Sequence, residues 1–60
     1  MNKVWIVYGK TESGDDWRMV FWNKPSEDRI LLEIEQDDWL REEYEAECIQ
    51  GWYVVEEFVK

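Results

Sequence analysis

The chain has 60 residues and a formal net charge of −8, with 15 acidic side chains, 7 basic ones, no histidine and one cysteine. This length supports a single small domain over residues 1–60. Such a domain buries only about 60% of the surface that its unfolded chain exposes, which excludes an enclosed substrate cavity. One cysteine excludes an internal disulfide framework and a cysteine-based zinc site, and no apolar run reaches the roughly 18 residues of a membrane-spanning helix. Because 45% of the residues are apolar and 17% are aromatic, we expect a folded protein rather than a disordered acidic tail. The single cysteine and the lack of a signal-peptide pattern indicate a soluble, reducing, intracellular setting.

Two strands joined by a polar loop are predicted for the first part of the chain. Residues 4–8 and 17–22 are rich in β-branched and aromatic side chains, and the polar residues 9–16 between them include two glycines. Strand-like runs on either side of a glycine-containing loop are typical of an antiparallel hairpin.

The next segment carries the signals of a helix start. Ser26 is a residue type that accepts a hydrogen bond from a free amide of the first helical turn, and Glu27 and Asp28 follow where the helix dipole favours carboxylates. Apolar side chains in residues 30–34 repeat at helical spacing, although they also alternate as in a third strand. The capping signal favours the helix.

A break in this helix and a final strand are predicted for the rest of the chain. One straight helix would place Asp37 and Arg41 near the centre of its apolar stripe, so we expect a break around residues 36–38. Residues 52–55 follow Gly51 and predict a last strand. The predicted fold class is α+β, with a three-stranded antiparallel sheet of spatial order 2-1-3 and a kinked helical segment packed on one face.

Both faces of this sheet are expected to be apolar, because apolar side chains occupy alternate positions on each side of every strand. One short helical segment covers only one face, so the other meets solvent, a second copy of the chain or a partner protein. Trp5, Trp22 and Tyr53 are the candidate aromatic contacts of such an interface. Alternatively, the aromatic side chains compensate for a thin core, with loops folding over the second face.

The negative charge is concentrated in residues 26–50, which hold ten acids and two arginines. On a helix, Glu35, Asp38, Glu42 and Glu45 share one side, with one negative charge about every 5 Å. A single strand of duplex DNA carries one charge per ~3.4 Å. Flanking acids widen this band, chiefly Glu33, Asp37 and Glu43. The competing interpretation is that the acids serve only solubility.

The sequence argues against catalysis. A nucleophilic triad needs a base that titrates near neutral pH, and the chain has no histidine. Cys48 follows Glu45 and Glu47, whose charges are expected to raise the thiol pKa. Paired aspartates at 15–16 and 37–38 lack the ligand pattern of a calcium loop, and loop and cap roles account for them. We therefore expect no enzyme, metal or cofactor, and no direct binding of nucleic acid.

Three segments of the chain resemble small acidic accessory proteins encoded by bacteriophages. These are the Val-Tyr-Gly-x-x-Glu-Ser-Gly-Asp-Asp frame over residues 7–16, Lys-Pro-Ser-Glu-Asp at 24–28, and Gly-Trp-Tyr-Val-Val at 51–55. The resemblance implies an inhibitor of a host protein, acting in the host cytoplasm, and several proteins of that kind are DNA mimics. It transfers no functional residues, because such proteins share no active-site motif.

Two functions are consistent with these observations. The leading hypothesis is a binding or inhibitor protein whose acidic helical surface mimics nucleic acid and occupies the basic DNA- or RNA-binding site of a host protein. The alternative is an interaction module or homodimer that acts through an aromatic sheet face.

Overall fold

The computed structural model describes residues 2–59, which form three strands and two helices. In chain order these are β1 (Asn2–Thr11), β2 (Asp16–Phe21), α1 (Glu27–Gln36), α2 (Asp38–Glu45) and β3 (Ile49–Val59). The strands form one antiparallel sheet of order β2-β1-β3, which confirms the predicted α+β class and strand order. Neither helix has the length and apolar character needed to cross a membrane.

The hairpin is longer, and its loop shorter, than the sequence pattern predicts. Gly9 and Lys10 continue β1 because they pair with Trp17 and Asp16 of β2. Thr11 then closes the loop: its amide donates to the Asp15 carbonyl at 2.9 Å, and its Oγ1 accepts from the Asp15 amide at 3.2 Å. The Gly14 amide also donates to the Thr11 carbonyl at 3.0 Å, so the backbone groups and the hydroxyl of this buried threonine are all hydrogen-bonded.

The helical segment breaks where the sequence predicts. The Ser26 Oγ accepts a hydrogen bond from the Arg29 amide at 3.2 Å, which begins α1 and confirms helix rather than strand for residues 30–34. At Asp37 the backbone is extended, with φ −99° and ψ 119°, so α1 ends there. The Asp37 Oδ1 then accepts from the Leu40 amide at 3.0 Å and begins α2.

The cap at Asp37 predicts a difference between two adjacent aspartates. Asp37→Ala removes the acceptor for the Leu40 amide, and we expect it to lower the free energy of unfolding by about 1 kcal/mol. Asp38→Ala is the matched control, because it removes only an exposed ion pair with Arg41, worth about 0.5 kcal/mol or less. Urea unfolding followed by circular dichroism measures both. Equal losses would contradict the cap as the reason for the break.

The core lies between the helices and one face of the sheet. Its buried residues are Val7, Trp17, Ile30, Ile34 and Leu40. The indole of Trp17 lies directly on the backbone of β1, because a Cβ atom built on Gly9 would stand 2.2 Å from two carbons of that ring. Within residues 2–59 the buried Trp17 Nε1 has no hydrogen-bond acceptor, so packing rather than hydrogen bonding holds the ring in place.

Candidate protein-binding surfaces

The two helices turn a set of carboxylates away from the core. In α2, Asp38, Glu42 and Glu45 lie opposite the buried Leu40, because they follow one another at steps of four and three residues. In α1 the same geometry places Asp28 and Glu35 opposite the buried Ile30 and Ile34. All five acids are exposed, and they are called the acidic face below.

The seven acids predicted for the partner-binding band do not play equal parts. Glu33 forms an ion pair with Arg29 at 3.0 Å, and Asp38 forms one with Arg41 at 3.1 Å. Asp37 caps α2, and Glu43 is half-buried beside Cys48. The remaining three have no ion-pair partner within residues 2–59 and are exposed; they are Glu35, Glu42 and Glu45.

Cys48 lies between the end of α2 and the start of β3, near two carboxylates. Partial burial raises the pKa of its thiol, and the charges of Glu43 and Glu12 raise it further. The direction agrees with the sequence-based expectation, but the acids responsible are Glu43 and Glu12 rather than Glu45 and Glu47. Glu12 is brought close by the chain fold, since its amide donates to the Cys48 carbonyl at 2.7 Å.

This environment predicts slow thiol chemistry. Because only the thiolate is nucleophilic, we expect Cys48 of the folded chain to react with iodoacetamide more slowly at neutral pH than Cys48 of the urea-unfolded chain. The labelling rate of the folded chain should continue to rise with pH beyond 9.0, which is the usual pKa of a cysteine thiol. Mass spectrometry after timed labelling between about pH 7 and pH 11 measures this, and Glu43→Gln should move the curve to lower pH. If the labelling rate of the folded chain reaches half its maximum at the same pH as that of the unfolded chain, or at a lower pH, the raised thiol pKa is contradicted.

The sheet has a second face that no helix covers. Each strand contributes alternate side chains to this side, and the strand register places them next to one another. They are Val4, Ile6, Tyr8 and Lys10 of β1, their cross-strand neighbours Val20, Arg18 and Asp16 of β2, and their neighbours Glu57, Val55 and Tyr53 of β3. Val59 extends it beside Asn2. These residues are called the open sheet face below. Val20 is 60% exposed and Tyr53 is 64% exposed, and the rings of Tyr8 and Tyr53 stack with centroids 5.6 Å apart.

The three aromatic residues proposed for an interface do not lie together. Tyr53 belongs to the open sheet face. Trp5 is on the side of the sheet that carries Val7, where Lys3 and Lys24 place their ammonium groups 5.4 Å and 5.8 Å from its ring centroid. Trp22 follows β2 and is 77% exposed. The alternation of side chains groups Arg18 with Val20 on one side of the second strand, but only the strand register shows that they share a face with Glu57.

The structure also defines an open cleft and the placement of the potential metal ligands. Between residues 2 and 59 no group of three histidine, cysteine, aspartate or glutamate side chains is placed to hold a metal ion. A cleft of about 850 Å³ runs along the hairpin end of the sheet between Trp17 and Trp52 and is open to solvent. Its ionic groups include Lys10 and Asp16, which form an exposed ion pair at 3.8 Å.

Comparison with protein-family models, with curated proteins and with solved structures gives no match to this chain. The acidic face and the open sheet face are therefore the two features from which a function has to be argued.

Proposed function

We propose that this protein is a non-enzymatic inhibitor that binds a basic nucleic-acid-binding protein through its acidic face. The observation that carries the proposal is that Glu35, Glu42 and Glu45 point away from the core without an ion-pair partner among residues 2–59. Like charges kept close together without neutralisation destabilise a compact domain, and a small domain has little stability to lose. A positively charged partner offsets that cost when it binds.

The spacing of the charges supports a nucleic-acid-binding site as the target. Asp38 and Glu45 are seven residues apart on α2, a separation of about 10 Å along the helix axis. This is close to the Debye length of about 8 Å at physiological ionic strength, so the intervening charges act on a partner together. Asp38, Glu42 and Glu45 give one carboxylate about every 5 Å along α2, which is of the same order as the ~3.4 Å between charges on one strand of DNA.

The resemblance to phage accessory proteins adds the setting. We infer that the chain acts in the cytoplasm of a bacterial host, where its target is a host protein that binds DNA or RNA. Inhibition then requires no chemistry: the chain occupies the basic site and nucleic acid is excluded by competition and by charge repulsion.

The decisive experiment compares elution of the bound proteins by salt with elution by competing duplex DNA. The immobilised chain is exposed to bacterial lysate, and bound proteins are eluted either with a salt gradient or with duplex DNA at constant salt. We expect basic nucleic-acid-binding proteins to leave below about 0.5 M salt and also to leave with the duplex. Proteins that remain at that salt and are not released by the duplex would contradict mimicry and favour binding through an apolar surface.

A further inference from the structure

The open sheet face is a continuous apolar surface with an almost buried centre. Ile6 lies in the middle strand and is only 7% exposed, although no helix packs on this side. Its neighbours across the strands are Val20 and Val55, and Val4 and Tyr8 flank it along β1. The neighbouring side chains shield Ile6 and present their own apolar surface to solvent.

The accessible surface of the chain is larger than that of an average compact monomer of the same mass. The accessible surface is 4659 Å², whereas a compact monomer of 7.4 kDa has about 4200 Å² on average. This excess of about 450 Å² is a property of the whole molecule, and it agrees with a sheet that the helices cover on one side only.

Charge distinguishes between possible occupants of this surface. Lys10 and Arg18 balance Asp16 and Glu57, so the open sheet face has no net charge in a chain whose total is −8. A strongly basic protein gains more from the acidic face, on the opposite side of the molecule. Two copies of the chain repel each other through their helices, and a neutral face lets them meet while both helical layers point outward.

We propose that the open sheet face binds a second copy of this chain to form a two-fold symmetric dimer of two packed sheets. This inference does not depend on the function of the acidic face. Packed sheets lie about 10 Å apart, and the two-fold axis passes near Ile6, so Ile6, Val20 and Val55 of one copy face the apolar centre of the other. Two faces of three short strands give an interface smaller than the roughly 1,200–2,000 Å² of stable complexes, so we expect a weak dimer that dissociates in the micromolar range.

The ends of the face determine the orientation of the two copies. Arg18 lies toward the hairpin end, and its neighbours there, Lys10 and Asp16, already neutralise each other as an ion pair. Glu57 lies toward the other end, where it pairs with Val4 of β1. Arg18 and Glu57 therefore lie at diagonally opposite corners of the face, because β2 and β3 flank β1 on opposite sides. A two-fold axis that lies between the sheets, perpendicular to this diagonal, places Arg18 of each copy over Glu57 of its partner, with the strands of the two sheets crossing at a steep angle. An axis along the strands would instead place both Arg18 side chains at one end and both Glu57 side chains at the other.

The first test is self-association with a matched pair of substitutions. Light scattering over about 1 to 500 μM should show the mass rise from 7.4 kDa toward twice that value. Tyr53→Lys should weaken dimerisation at least about tenfold, because it places a charge inside the interface. Tyr44→Lys is the control: Tyr44 is 44% exposed but lies on α2, and this change should leave dimerisation intact. A monomer at every concentration, or an equal effect of both variants, would overturn the proposal.

The second test examines how the two copies are oriented, and its readout is a heterodimer formed from two variants that each self-associate weakly. Arg18→Glu and Glu57→Arg should each weaken self-association, because each places like charges at both contacts between copies. Mixing the two variants should restore a heterodimer, in which every contact again joins opposite charges. Arg41→Glu and Glu42→Arg change the net charge by the same amounts on the helical side, and their mixture should gain nothing. Circular dichroism verifies that all variants are folded. A mixture that associates no more strongly than its components would exclude the arrangement in which Arg18 of each copy meets Glu57 of the other.

Discussion

Replacing Glu35, Glu42 and Glu45 together by lysine is expected to abolish competition with duplex DNA for the basic proteins that the chain captures. Each substitution changes the net charge by +2, so the three convert −8 to −2 and reverse the sign of the exposed part of the acidic face. Each substitution removes one attraction and adds one repulsion, each worth about 0.5 kcal/mol, so the three together cost about 3 kcal/mol and weaken binding by more than about 100-fold. Displacement of a labelled duplex, followed by fluorescence anisotropy at constant salt, measures this loss.

The folded structure is expected to survive this triple substitution. The three side chains are exposed and make no ion pair among residues 2–59. Glu45 ends α2, whose last turn contains no basic residue, so a lysine there interacts favourably with the helix dipole. Loss of competition with an unchanged circular dichroism spectrum would therefore report on binding rather than on unfolding.

A matched control separates the acidic face from total charge. Glu12, Glu47 and Glu56 are exposed carboxylates outside that face, and their replacement by lysine also gives −2. We expect this control to lose only the general part of the electrostatic attraction and to retain competition with the duplex. If both triple variants lose competition to the same extent, the position of the acids is irrelevant, and the charge serves solubility rather than recognition.

The local signals in the sequence were sufficient for the fold. Ser26 and Asp37 are recognisable as helix caps because capping depends on one side chain and an amide three residues away. The strand order followed from the position of the helical segment between the second and third strands. The strand ends did not follow, because β1 reaches Thr11 only through long-range pairing with Ile49 and through the hydrogen bonds of a buried threonine.

The composition of the two candidate binding surfaces was harder to predict from the sequence than the fold. Helical spacing identified the direction in which Glu42 and Glu45 point, but not that Arg29 forms an ion pair with Glu33 or that Glu43 is half-buried beside Cys48. Likewise, the alternation in β1 separates Trp5 from Tyr8 without showing which of them faces the helices. That distinction depends on how the strands pair and which side the helices cover, and neither is encoded within a few residues.

The close contact between Gly9 and Trp17 leads to the largest stability effect that we expect. A Cβ atom at position 9 would lie 2.2 Å from two ring carbons, more than 1 Å inside an ordinary carbon–carbon contact of about 3.5 Å. The alternative to this overlap is removal of the indole from the core, and the loss of a buried tryptophan costs about 3–5 kcal/mol. A domain of this size has a total stability of about 3–9 kcal/mol, so Gly9→Ala should leave it mostly unfolded at 37 °C or unable to fold.

A double-mutant cycle shows whether the ring is the cause. Trp17→Leu lowers the stability by itself, but it removes the ring carbons that the new methyl group would meet. Adding Gly9→Ala to Trp17→Leu should therefore cost less than about 1 kcal/mol, so that the two substitutions are strongly non-additive. Thermal and urea unfolding, followed by circular dichroism, measures the stability of the starting protein, the two single variants and the double variant. Low temperature or an osmolyte keeps the least stable variant folded enough to be measured. If Gly9→Ala alone costs less than about 1 kcal/mol, or costs as much in the Trp17→Leu background, the ring does not lie on the strand backbone and the packing of this core has to be revised.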